Sequence, residues 1–146
     1  MTPTPAQVAA LEEIRALLAR YCTAADAGRL DEVAGLFTSG GRIEFRGEQH
    51  AGPDGITGMF IDSGRRIRAA GLRGRLMHTV STVDLTLESD TRASGRSCFQ
   101  VLSPSGLDHW GRYTDDYLRD DGRWRFDRRA IDVEGRIPGG FGEVLA

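Results

Sequence analysis

Apolar residues recur at spacings of three and four in the first part of the chain, and the second half is organised as runs with strand-like character. Leu11, Ile14, Leu18, Tyr21, Cys22 and Ala25 fall on one stripe, which predicts a helix running to about Asp26. Its start is written in Thr4-Pro5-Ala6-Gln7: Thr4 caps, Pro5 suits the first helical position and Gln7 completes a capping box. Gly28 is the predicted stop. A shorter helix follows with Leu30, Val33, Leu36 and Phe37 on one side, ended by a Ser39-Gly40-Gly41 turn. Arg42 to Arg46 alternates apolar and charged residues as a short strand does, and residues 47–52 read as loop. Pro53 opens a third helix to about Ala70, with Ile56, Met59, Phe60 and Ile67 as its buried positions.

The stretch Arg75 to Glu88, RLMHTVSTVDLTLE, is rich in β-branched and aliphatic residues and predicts a long central strand with His78 near its start. Ser89-Asp90 turns the chain into a second strand, Arg92 to Leu102, and Pro104-Ser105-Gly106 into a third, Trp110 to Arg119. Asp120-Asp121-Gly122 is a hairpin signal leading to Arg123 to Val133. From Gly135, with Gly139, Gly140 and Gly142, the expectation is a mobile tail or one that wraps a neighbour. Helices followed by an antiparallel meander predict an α+β fold: one domain, 1–146, in which three helices cover a curved, mostly antiparallel sheet. A pocket is expected between the two layers.

Composition narrows the function. A hydrophobic content of 40% and a charged content of 27% are those of an ordinary globular protein. No apolar run approaches the roughly 18 residues of a membrane span, and MTPTPAQ lacks the features of a signal peptide, so a cytoplasmic protein without membrane contact is expected. The net charge of -2, with basic and acidic residues interspersed, gives no reason to expect nucleic acid. All 19 basic residues are Arg, which removes the Lys-dependent Schiff-base and phosphate-loop chemistries. Cys22 and Cys98 are expected to be reduced core residues. His50 and His109 lack metal-ligand spacing and are expected at the surface, so neither a metal nor a cofactor is implied.

Three residues stand out as candidate chemistry. Asp26 is placed in the last turn of the first helix, where a carboxylate meets the negative end of the macrodipole at a cost of about 0.3 to 1 kcal/mol. His78 would serve as a general base if a carboxylate fixed one ring nitrogen and left the other free, and Asp26 is a candidate for that carboxylate. Tyr21 lies about 140° around the helix from Asp26 and could flank the same pocket. Asp115 and Asp116 alternate across their strand and make a poor acid/base pair, whereas Phe45, Phe60 and Tyr113 are candidate pocket walls.

The segments YCTAADAGRLDEVAGLF, IEF, RLMHTV and GRYTDDYLRDDGRWRF resemble the SnoaL-like branch of the nuclear transport factor 2 (NTF2)-like superfamily, over about Ala9 to Val133. This branch holds dehydratases, a dehydrochlorinase and polyketide cyclases. The resemblance implies a cone of curved sheet and three helices, a homodimer formed through the outer sheet face, and an Asp-His dyad at Asp26 and His78. It places Tyr21 at a functional position, favouring an oxygen leaving group, and gives Arg129 the role of a catalytic basic residue on the last strand that adds positive potential. Val101 and Phe45 depart from the scytalone dehydratase pattern and put scytalone itself in doubt as substrate. The implied activity is a cofactor-independent lyase or isomerase acting on a small apolar cyclic molecule. The alternatives are a non-catalytic binding or dimer-scaffold domain and a polyketide cyclase.

Overall fold

A computed structural model describes residues 1–146. Helix α1 spans Pro5–Asp26 and begins as its sequence dictates: the Thr4 side chain accepts the Gln7 backbone N–H at 3.2 Å, and Gln7 Oε1 accepts that of Thr4 at 2.8 Å. Ile14, Leu17, Leu18, Tyr21 and Cys22 are buried along one side, and Gly28 reverses the chain at a φ of 70°. A one-turn-and-a-half helix α2 (Leu30–Gly35) leads into β1 (Phe37–Phe45), hairpin strand β2 (Glu48–Ala51) and α3 (Gly52–Ala69). Strands β3 (Met77–Leu87), β4 (Arg92–Ser103), β5 (Gly106–Asp120) and β6 (Arg123–Arg136) then form the meander, and α4 (Phe141–Leu145) ends the chain.

The six strands lie in the order β2-β1-β6-β5-β4-β3; only the β1–β6 pairing is parallel. The α+β architecture and the meander are those expected, but several boundaries are not. Phe37 and Ser39-Gly40-Gly41 belong to β1, where the register slips between Phe37 and Arg42. A side chain at Gly41 would meet Phe37 Cβ at 2.9 Å and the Phe126 carbonyl at 3.1 Å, so this glycine serves close approach within a strand instead of a turn. Residues 47–52, expected as loop, contain β2: Arg46 and Gly47 both have positive φ, as a two-residue hairpin requires, with Arg in a place usually held by Asn or Asp. Asp121-Gly122 repeats the device between β5 and β6.

Two further expectations need correction. The strand carrying His78 is an edge strand, not a central one, because the connection from α3 enters at the rim of the sheet. The glycine-rich tail is packed rather than loose: β6 extends to Arg136, and α4 docks with Phe141 5% exposed. Cys22 is buried, whereas Cys98 on β4 is only half-buried, and both are free thiols. The main core lies between α1 and the inner sheet face, built on Ile14, Leu18, Val33, Ile43, Ile56 and Phe126. No helix is long and apolar enough to cross a membrane.

Candidate active site

Helix α1 ends directly against the start of β3. There the Asp26 carboxylate takes two bonds from one residue: Oδ2 accepts the His78 backbone N–H at 2.9 Å, and Oδ1 lies 2.5 Å from His78 Nδ1. These contacts offset the unfavourable position of a carboxylate at a helix C-terminus. They also orient the imidazole, since a carboxylate on Nδ1 holds the proton there and leaves Nε2 as the acceptor. Both side chains are about one-fifth exposed, at 22% and 21%, which gives access without immersing the pair in solvent.

The pair opens into a cavity of about 400 Å³ between the helices and the inner sheet face. Of its 21 lining residues 14 are hydrophobic, so a ligand that fills it must itself be largely apolar. Tyr21 from α1, Phe45 from β1, Phe60 from α3 and Tyr113 from β5 all line it, as does Leu145 from α4. Ser63 and Arg68 from α3 add polar groups that the sequence reading did not single out. No three His, Cys, Asp or Glu side chains are grouped so as to hold a metal ion.

Tyr21 is 2% exposed and packs among Phe37, Phe60, Tyr113 and Phe126. Burial pushes its phenol up to about 12, although the nearby Arg129 guanidinium opposes the shift. The hydroxyl therefore stays protonated across the neutral and mildly alkaline range and can donate a hydrogen bond.

Arg129, named as a catalytic residue that adds positive potential, does not itself line the cavity. It is fully buried and grips Asp115 with two bonds of 2.8 and 2.7 Å; Tyr117 donates to the same carboxylate at 2.9 Å. Burial pulls the guanidinium down, but Asp115 more than compensates and holds it well above its ordinary value. The cation sits 4.2 Å from the Tyr21 ring centroid and 3.8 Å from that of Tyr113. Arg129 therefore stands directly behind the two tyrosines that form part of the cavity wall. Asp116, on the other face of β5, is exposed, as the alternation of the strand requires.

His109 is the residue most misjudged from the sequence. Expected at the surface, it is 5% exposed and lines the same cavity as His78, with Nδ1 2.7 Å from Asp108 Oδ1. Val101 pairs with His109 and Leu102 with Leu107, so Asp108 is the extra residue of a β-bulge. The bulge turns two consecutive side chains inward, which strict alternation forbids. His50 is also partly buried, on β2, with Glu48 3.7 Å from its Nε2.

Fold and site together define a pocketed α+β cone whose apolar cavity is served by a carboxylate-held histidine. The chain belongs to the SnoaL-like domain family, whose model matches residues 6–130. Among solved structures it is similar to Rv3472(D26N), described as a protein of unknown function from Mycobacterium tuberculosis. That match has 27% identity and a TM-score of 0.78, covering 94% of this chain and 79% of the other. A candidate scytalone dehydratase from Novosphingobium aromaticivorans shares the fold at 19% identity and a TM-score of 0.76, with 92% and 91% covered. So does the hexachlorocyclohexane dehydrochlorinase LinA-type3 from Novosphingobium barchaimii, at 18% identity and a TM-score of 0.77, with 91% and 92% covered. Among the curated proteins, none matches the chain.

Proposed function

We propose that this protein is a cofactor-independent lyase or isomerase that removes a proton next to a carbonyl of a small, largely apolar cyclic substrate such as a polyketide, steroid or terpenoid. The observation that carries the reading is the 2.5 Å contact between His78 Nδ1 and Asp26 Oδ1 at the wall of an open apolar cavity. His78 Nε2 takes the proton, and the electron pair of the broken C–H bond moves onto the carbonyl oxygen as an enolate. Asp26 holds the ring in the basic tautomer and stabilises the imidazolium that forms. Tyr21 donates to the developing oxyanion or to the leaving hydroxyl. For elimination the enolate expels hydroxide from the neighbouring carbon, the imidazolium proton goes with it, and water and an enone are the products. Arg129 serves as a positioning residue that fixes Tyr21 and Tyr113 and adds positive potential behind them.

A non-catalytic binding domain has no need of an aligned base, and the bonded pair beside an unfilled cavity counts against it. Cyclisation would employ the same pair with a substrate folded differently. The test is a panel of cyclic β-hydroxy-ketones followed by the ultraviolet absorbance of the conjugated enone. Turnover by the wild type that falls about 10²- to 10⁴-fold in His78→Ala supports the lyase reading. Enone formation that is indifferent to His78 refutes it.

The same proposal includes a homodimer formed through the outer face of the sheet. Met77, Leu102 and Leu107 stand in one register row there, 58%, 38% and 46% exposed, beside Trp110 at 36%. Such a row of exposed apolar side chains supports a contact surface on that face. Trp124, the other tryptophan, is buried in the core and takes no part.

A further inference from the structure

His78 is not the only carboxylate-held imidazole in the cavity. In the register of the sheet His78 on β3 pairs with Val101 on β4, and Val101 pairs with His109 on β5. Directly paired residues of antiparallel strands project from the same face, so the two histidines flank Val101 on the cavity side, their Cα atoms about 10 Å apart. Val101 is fully buried between them.

The His109 ring is held as firmly as that of His78. Asp108 Oδ1 lies 2.7 Å from Nδ1, and this carboxylate is anchored in turn by the first N–H groups of α4: Phe141 N donates to Oδ2 at 2.9 Å and Gly142 N to Oδ1 at 2.7 Å. The approach depends on glycine, because a side chain at Gly142 would come within 2.5 Å of His109 Cβ and one at Gly140 within 2.6 Å of Asp108 Oδ2. Burial works against Asp108, but His109 and the two N–H groups hold its carboxyl below the ordinary value. Burial likewise pushes His109 down, against the pull of Asp108, which favours the neutral ring. A neutral ring bonded to a carboxylate through Nδ1 carries its proton there. Nε2 has no protein partner, yet it is absent from the atoms that are sealed and unbonded, so it reaches the cavity.

We infer that His109 is a specificity-determining residue: its Nε2 accepts a hydrogen bond from a ligand hydroxyl at the opposite end of the ring system from the C–H group that faces His78. The ligand is then a fused or extended cyclic molecule with a hydroxyl at its far end. A simple ketone of the same size leaves a desolvated imidazole nitrogen unpaired. Asp108 is the positioning residue, and through it the placement of α4 is tied to the same ring. The inference rests on the lyase reading only in taking this cavity as the ligand site; its test reads binding, so the two fail separately.

The experiment compares 1-tetralone with 6-hydroxy-1-tetralone, which differ only in a hydroxyl at the end of the rings away from the carbonyl, by titration calorimetry on the full chain. The wild type binds the hydroxyketone more tightly by about 3- to 10-fold, the worth of one hydrogen bond. In His109→Phe that preference disappears while 1-tetralone affinity stays within about twofold; in His109→Gln, whose amide oxygen can accept, part of it returns. Should His109→Phe fail to fold, the imidazole nitrogen resonances of the wild type decide: the hydroxyketone shifts His109 Nε2 and 1-tetralone does not. A preference that survives in His109→Phe, or a His109 resonance unmoved by the hydroxyketone, overturns the inference.

Discussion

Replacing Asp115 by Asn would leave the Arg129 cation fully buried with its counter-charge gone. In the native protein two bonds of 2.8 and 2.7 Å join the pair, side chains 0% and 1% exposed, and Arg129 Nη1 already lacks a partner. Water cannot replace the lost charge at such depth, so the substitution costs about 3 to 5 kcal/mol. For a chain of this length each kcal/mol lowers the melting temperature by about 2 to 4 °C, so the fall is about 6 to 20 °C. Urea unfolding followed by tryptophan fluorescence measures it. The control is the double substitution Asp115→Leu with Arg129→Met, which removes both charges and is less destabilised than Asp115→Asn. The reasoning fails if Asp115→Asn costs under about 1 kcal/mol, or if the apolar double variant is the less stable of the two.

Three other outcomes follow from the structure. All three tyrosines are buried and raised, Tyr21 to about 12, with burial the chief cause in each; the folded protein therefore shows almost no tyrosinate absorbance at pH 10.5, and unfolding in denaturant releases it. Since the unfolded phenols lose their protons first, near pH 10, stability falls as pH rises from about 10 toward 12. His109 is lowered by burial, so the unfolded chain binds its proton first and stability is lost as pH falls below about 6.5; urea midpoints of the wild type decline more than those of His109→Gln between pH 7 and 5. If the proposed homodimer forms through the exposed apolar row, Leu102→Arg, which places a charge there, leaves a monomer at micromolar concentration where the wild type is dimeric, measured by light scattering after gel filtration.

Much of the fold was legible because its signals are local. The capping box at Thr4, the stripe of α1 and the Asp121-Gly122 hairpin each need only a few neighbouring residues, and each stands where the sequence puts it. What was hidden depends on partners distant in the chain. Strand order is not a local property, so nothing in RLMHTV distinguishes an edge strand from a central one. Gly40 and Gly41 read as a turn because the close approach of Phe126, 85 residues away from Gly41, cannot be seen in the sequence. The segment from Gly139 to Gly142 reads as loose for the same reason: Gly140 and Gly142 make room for Asp108 and His109, which lie more than 30 residues earlier.

The site divides in the same way. Asp26, His78 and Tyr21 were found because a carboxylate at a helix end is a local anomaly and the family resemblance linked it to a histidine. Arg129 was identified but its ion pair was not, since a strand pattern does not show which basic residue has a buried carboxylate opposite it; here Asp115 is its direct register partner. Asp108 and His109 were missed because alternation puts adjacent residues on opposite faces, and only the bulge brings both inward. The adjacency of an Asp and a His beside a strand break was the available signal.

The most direct test of the central claim is exchange of a ligand's carbon-bound protons with solvent, because it requires the base and the cavity but no leaving group. Cyclic ketones of one to four fused rings are incubated with the protein in deuterium oxide, and loss of the proton signal next to the carbonyl is followed by nuclear magnetic resonance. The account predicts exchange faster than in buffer for at least one ketone that the cavity accommodates, a fall of about 10²- to 10⁴-fold in His78→Ala, and a smaller but clear fall in Asp26→Asn. Exchange at the buffer rate across the panel, or an unchanged rate in both variants, would contradict it.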